Sequence, residues 1–144
     1  MTKGVEVPTF AERVLIVREF LDAIGDLDFD RVEAYLATEA IMVLPFVDGL
    51  PPTLGRSAIV AQLRDSVPAM FERMNFTYDE FYDVRGGDAV VAEYRSECPQ
   101  RDTGKVYRNT YITVFRFDGA EISLYKEYLN PGKFTGFTEP VHGM

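Results

Sequence analysis

Apolar residues along this chain recur at helical spacing up to about position 70 and in near alternation after it. In "TFAERVLIVREFLDAIG", starting at Thr9, the residues Phe10, Val14, Val17, Leu21 and Ile24 fall on one helical face. Thr9 and Glu12 are spaced as a capping box, and Gly25 reads as the stop. Asp28 is placed to cap a second helix, "FDRVEAYLA", with Val32, Tyr35 and Leu36 as its stripe. The short apolar run "AIMVLPF", broken by Pro45, predicts an edge strand or a strand end, and "VDGLPPTLG" a loop. A third helix, "RSAIVAQLRDSV", sets Ile59, Leu63 and Val67 on one face; Pro68, without an amide donor, ends or kinks it.

From there the period shortens. Four extended runs follow, "RMNFTYDEFYDV", "AVVAEYRSE", "VYRNTYITVFRF" and "EISLYKEYL", separated by "RGGD", "CPQRDTGK" and "DG". Each break lets the chain reverse, and Asp118-Gly119 is the strongest two-residue hairpin signal of the three. The pattern therefore predicts one α+β domain over residues 1–144: three N-terminal helices, a short first strand, and a four-strand antiparallel meander curved into a cone around a cavity. The end of the chain, residues 132–144, reads as a tail or a flap. A curved sheet closed by helices is where a small ligand binds.

Composition narrows the partners. With 23 acidic residues against 15 Lys plus Arg the net charge is −8, which repels nucleic acid and anionic membranes. No apolar run approaches the roughly 20 residues of a membrane span, and "MTKGVEVPTF" lacks the apolar core of a secretory signal. A cytoplasmic location is expected. The single cysteine, Cys98, has no partner for an internal disulfide, and with Pro99 it reads as part of a hairpin loop. His142, the only histidine, is the third residue from the end, so a Ser-His-Asp or Cys-His device is not expected. Asp79, Glu80 and Asp83 alternate strand faces and read as solvated edge charge, so no metal and no cofactor are expected.

The candidate chemistry lies in "SLYKEYLNP". In a strand, Ser123, Tyr125, Glu127 and Leu129 share one face. If that face is the inner one, a carboxylate enters an aromatic, apolar space, and desolvation raises its pKa toward the range where it exchanges protons near neutrality. If the facing is off by one residue, Glu127 is a surface charge or half of an ion pair.

The helix-helix-strand-helix-meander order, "GRSAI" leading into the third helix, and "YRNTYITVFRFDGAEISLYKEYLNP" together resemble the SnoaL-like and ketosteroid-isomerase-like branch of the nuclear-transport-factor-2-like superfamily, over roughly residues 9–131. The resemblance implies that Met42, Leu44 and Phe46, then Asn109, Tyr111 and Thr113, then Tyr125 and Glu127, face the cavity. Where a steroid isomerase of this kind carries its base and its oxyanion donors, this chain has Leu44, Phe20 and Thr113, so that mechanism is not implied. Phenazine-biosynthesis cyclases are similar in motif: "RNTY" and "KEYLN" put Asn109 and Glu127 where those enzymes carry their Asn and their proton-transferring glutamate. Tyr94 and Ser96 stand where an epoxide hydrolase of this fold would need an Arg and an Asp, which speaks against epoxide hydrolysis.

The expectation is thus a cofactor-independent enzyme of isomerase, dehydratase, cyclase or lyase type acting on a small apolar, aromatic or polycyclic substrate. Glu127, Asn109 and Tyr111 are the catalytic candidates. Phe20, Tyr35, Met42, Leu44, Phe46, Met70, Tyr94, Ser96, Thr113 and Tyr125 are the candidates for binding it. The alternative is a non-catalytic binding module or scaffold subunit, for which Glu127 would be exposed or ion-paired. Val91, Ile112, Val114 and Leu124, on the opposite face of the meander, suggest a homodimer through the sheet.

Overall fold

A computed structural model describes residues 7–133; the expected tail or flap falls almost wholly outside them, as does His142. Helix α1 spans Phe10–Gly25 and starts on a complete capping box, Glu12 N–H donating to Thr9 Oγ1 at 3.1 Å and Thr9 N–H to the Glu12 carboxylate at 2.8 Å. Helix α2 spans Phe29–Tyr35, with the Asp28 carboxylate accepting from Arg31 N–H. Strand β1 (Leu36–Val43) and the two-residue strand β2 (Thr53–Leu54) precede α3 (Arg56–Met70). The meander comprises β3 (Asn75–Asp83), β4 (Ala89–Pro99), β5 (Val106–Asp118) and β6 (Glu121–Leu129).

The six strands form one mixed sheet in the order β2-β1-β6-β5-β4-β3. Only β1 and β6 run parallel. The α+β class, the antiparallel meander and the three helices agree with the sequence; several boundaries do not. Leu36 and Ala37 leave α2 and open β1, which runs Leu36–Val43 instead of 40–46 and is flanked by β2 and β6 rather than being an edge. Part of the predicted loop supplies β2, paired through Thr53 and Leu54 to Met42 and Ile41. Pro68 does not end α3, which continues two residues past it to Met70. In the last turn of a helix, proline's missing N–H forfeits a single bond.

Gly25 does close α1, but for lack of space and not by adopting a left-handed cap. A Cβ there would lie 2.1 Å from the Met74 carbonyl oxygen, and Met74 N–H donates to Gly25 O at 3.0 Å, so the start of β3 rests directly on the end of α1. The left-handed residue of this turn is Leu27, at φ 59°. The last hairpin turns on Gly119 and Ala120, one residue later than predicted. Asp118 pairs with Glu121 inside the ladder, and Gly119, at φ 62°, takes the first turn position that favours glycine.

Strict alternation sorts the meander. Tyr107, Asn109, Tyr111, Thr113, Phe115 and Phe117 of β5 are buried on the concave side while Arg108, Thr110, Ile112 and Arg116 are exposed on the other. On β6 an extra residue, Ser123, breaks the register between the Arg116–Leu124 and Phe117–Ile122 pairs, so both Ile122 and Tyr125 turn inward. Cys98 belongs to this ladder too, since β4 extends through Pro99; the thiol is fully buried, and burial pushes its pKa up to about 11. Such a thiol stays protonated and is a small apolar filler.

Candidate active site

Helix α3 spans the concave side of the sheet and encloses, with the ends of β1, β5 and β6, a cavity of about 240 Å³. Its sheet wall is built by Met42, Tyr107, Tyr111, Tyr125, Glu127 and Leu129. The helical wall comes from Gln62, Leu63, Ser66, Val67 and Met70, and Phe71, Met74, Phe76, Leu44, Leu50 and Ile24 complete it. Alternation along β6 decides what Glu127 does: Tyr125, Glu127 and Leu129 are all buried, Glu127 with 8% of its surface exposed.

One oxygen of that carboxylate is fully engaged. Tyr94 Oη donates to Glu127 Oε2 at 2.7 Å, and Tyr125 Oη donates to the same atom at 3.0 Å. Because Tyr94 spends its single proton there, the 2.7 Å contact between Tyr94 Oη and Thr113 Oγ1 has threonine as the donor. The result is a relay, Thr113 to Tyr94 to Glu127, buried at every member. Glu127 Oε1 accepts nothing among the described residues, which leaves it as the oxygen available to the cavity. No cation pairs with the carboxylate among the described residues.

Burial raises the Glu127 pKa above the ordinary 4.5, and the two phenol hydrogen bonds pull it partway back. Both phenols stay protonated. Burial, followed by the neighbouring Glu127 charge, pushes Tyr94 and Tyr125 well above their usual range. Tyr111 is raised for the same two reasons, and its hydroxyl is 2.8 Å from Ser96 Oγ. Ring packing fixes the phenols: Tyr94 stacks on Tyr111 at 5.0 Å, Tyr125 on Phe115 at 5.5 Å, and Phe20 meets Tyr125 edge-on at 5.1 Å.

Of the residues expected at the site, Glu127, Tyr111, Tyr125, Met42, Leu44 and Met70 do line the cavity. Phe20, Tyr94, Ser96 and Thr113 lie behind the lining, Phe20 against Tyr125, Tyr94 against Glu127 and Tyr111, Ser96 against Tyr111, and Thr113 against Tyr94. Three expectations are corrected. Phe46 is 51% exposed and packs on Tyr128 at 5.2 Å, because the chain has already left β1 at Val43 and inward alternation no longer applies. Tyr35 turns to α1, its hydroxyl donating to the Glu19 carboxylate at 2.9 Å. Asn109 is buried but serves the backbone: its Oδ1 accepts from Thr110 N–H and Asn130 N–H, and its amide donates to Asn130 O and to Tyr107 Oη. It ties the end of β6 to β5 and makes no contact with Glu127.

Sequence reasoning missed Gln62, Ser66, Met74, Phe76 and Tyr107. The signal existed for most of them: Gln62, Ser66 and Met70 follow one another every fourth residue on α3, and Tyr107 precedes Asn109 and Tyr111 in strict alternation. The acidic run on β3 is solvent-facing as expected, with Asp79 paired to Arg95 through a two-point contact. Among the described residues no three His, Cys, Asp or Glu side chains come together in a metal-binding geometry.

This architecture is shared. The YesE protein of Bacillus subtilis (strain 168), itself uncharacterised, is 26% identical over 117 residues, which span 80% of this chain and 79% of that protein. A crystal structure from Bacillus subtilis, described as a candidate isomerase, superposes with a TM-score of 0.81 at 24% identity, covering 89% of this chain and 93% of the other. A Mycobacterium tuberculosis LEH-like epoxide hydrolase superposes with a TM-score of 0.73 at 21% identity over 90% and 92% of the two chains. At these identities the two structures establish a common fold and leave the chemistry to the site. The SnoaL-like domain family matches residues 17–125, and with the helix-covered, unclosed sheet around this cavity the chain belongs to that family.

Proposed function

We propose that this protein is a small-molecule enzyme, independent of a cofactor, in which Glu127 transfers a proton on an apolar, aromatic-sized substrate. The observation that carries the reading is the carboxylate itself: buried, without a cation, anchored through Oε2 by two phenols and open through Oε1 toward an apolar cavity. A buried, unpaired carboxylate costs stability, so its presence asks for a purpose. The phenol pair holds the group in one orientation, and burial brings its ionisation toward neutrality, the two conditions a general base needs. The motif resemblance to phenazine-biosynthesis cyclases supports the same residue. A pure binding module or scaffold subunit would have Glu127 exposed or ion-paired, and neither holds among the described residues.

The substrate class follows from the walls. An apolar cavity of about 150 Å³ admits benzene, so about 240 Å³ suits one ring with substituents or two fused rings. Isomerisation, dehydration, cyclisation and lyase chemistry can all begin with one such proton abstraction, the same carboxyl then returning the proton to carbon or to the leaving oxygen. Wild type should exchange an activated carbon-bound proton of a matching compound with D2O, and Glu127→Gln should lose at least a hundredfold of that rate, the lower range of general-base contributions. An unchanged rate in a folded Glu127→Gln protein would end this reading.

No helix among the described residues is long and apolar enough to cross a membrane. The outer sheet face carries Ile112, 45% exposed, beside Val91, Val114 and Leu124, and the reading takes this face as a homodimer contact in a cytoplasmic protein. Sedimentation should give twice the 16.3 kDa chain mass at micromolar concentration, and Ile112→Lys should return it to the monomer.

A further inference from the structure

Arg13, near the start of α1, is a buried cation with nothing to balance it. The residue keeps 8% of its surface exposed, and its guanidinium lies 5.5 Å from the centre of the Phe117 ring on β5. No carboxylate among the described residues pairs with it. Its Nε is out of reach of solvent and has no hydrogen-bond partner, the one buried side-chain nitrogen or oxygen among the described residues of which this is true. Nη1 and Nη2, equally without a partner, still touch solvent. The acidic groups around it are engaged elsewhere. Glu12 spends its carboxylate on Thr9 N–H, and Asp88, whose carbonyl accepts from Phe117 N–H, turns its side chain to Arg116 at 3.8 Å. Asp118 alternates to the outer face of β5, and Glu121, its hairpin partner, is exposed. The start of a helix is also the positive end of its dipole, where a cation is disfavoured, and the Arg13 side chain leans toward that end. Taking a charge out of water without a counter-charge is costly, so this one asks for an anion.

We propose that Arg13 is the floor of a second binding site, separate from the Glu127 cavity, which takes the carboxylate group of a small organic anion on the fork of Nη1 and Nη2. A guanidinium presents parallel N–H donors at the spacing of two carboxylate oxygens, and each bond is charge-assisted. The Phe117 ring attracts the cation but brings no full negative charge to it. The first N–H groups of α1 have no acceptor within the helix and add their positive potential to the same end. One cation balances one charge. A carboxylate monoanion is therefore favoured over a phosphate dianion, which a chain of net charge −8 would leave half uncompensated. The site lies away from the cavity: Ile24, the α1 residue that lines the cavity, is eleven positions further along, about 16 Å at the helical rise. Phe20, between them on the same helix, packs on Phe115 and Tyr125. The inference stands or falls independently of the role of Glu127.

The test follows the Arg13 Nε–H resonance of the full chain by NMR while sodium acetate replaces sodium chloride at constant ionic strength. The resonance should shift saturably in the millimolar range, and acetate should stabilise wild type against urea relative to chloride. At ten times its dissociation constant, acetate should raise the folding constant about elevenfold. Arg13→Met, which keeps a long unbranched side chain and removes the charge, should lose this response, whereas Arg13→Lys, a point charge without the fork, should keep a weaker one. Phosphate at the same ionic strength should act more weakly than acetate. An Nε–H resonance indifferent to acetate, an acetate response of equal size in Arg13→Met, or a stronger response to phosphate than to acetate would overturn the carboxylate site. The resonance is read on wild type, so it decides the matter even where Arg13→Met does not fold.

Discussion

Replacing Glu127 by Gln should stabilise the protein above the titration of this carboxyl and leave it unchanged below. The amide oxygen of glutamine can accept from Tyr94 and Tyr125 as Oε2 does now, so the substitution keeps both hydrogen bonds and removes only the ability to ionise. The folded-state pKa is raised from 4.5, mainly by burial. In the unfolded chain Glu127 ionises first, so the folded state of wild type is at its relative best below about pH 4.5 and loses stability as pH rises through the raised folded value, after which the loss is constant. Each pH unit between the two titrations is worth about 1.4 kcal/mol. With a urea m-value of about 1–3 kcal/mol/M for a small domain, that is a gap of roughly 0.5–1.4 M between the unfolding midpoints of wild type and Glu127→Gln. Urea titrations of both proteins at half-unit steps from pH 4 to pH 9 read it directly. Catalysis by the carboxylate should rise with its midpoint at the folded-state titration, the pH at which the stability loss of wild type levels off. A midpoint gap that is flat with pH, or that favours wild type at high pH, would refute the claim that this carboxylate is dry and unpaired.

Tyr94→Phe removes a donor from Glu127 and strands the Thr113 hydroxyl; the Glu127 titration followed by carboxyl-labelled NMR should move further upward, with about 1–3 kcal/mol lost in stability. Gly25→Ala pushes a methyl into the Met74 carbonyl and should cost about 1–3 kcal/mol by thermal unfolding, although alanine is otherwise the better helix former. Asn109→Ala unties Asn130 from β5 and should lower stability by about 1–3 kcal/mol without moving the Glu127 titration, a result that a direct contact between the two residues would contradict.

Much of this site is legible in the sequence. Period and punctuation named the helices, and alternation alone turned Tyr125, Glu127 and Leu129 to the same side. Such inferences work because a side chain's face is a local consequence of backbone geometry. They failed where geometry stopped being regular: at Phe46, beyond the end of β1, and around Ser123, where one extra residue brought Ile122 inward. They also failed where one residue serves either of two jobs. Asn109 reads as an active-site amide because its inward face is right, yet it satisfies the backbone of its neighbour Thr110 and of Asn130, 21 positions away, a pairing that no local pattern announces.

The sequence by itself determined an acidic, cysteine-poor α+β chain with an inward carboxylate on its last strand, since composition and period are properties of the string. Only the tertiary structure decided that Tyr94, 33 positions away, and Tyr125 would grip one oxygen of Glu127, and that α3 would bring Gln62 and Ser66 to the facing wall. Hydrogen bonds and cavities depend on distances between elements, and those are set by how the sheet curves and where the helices come to rest on it.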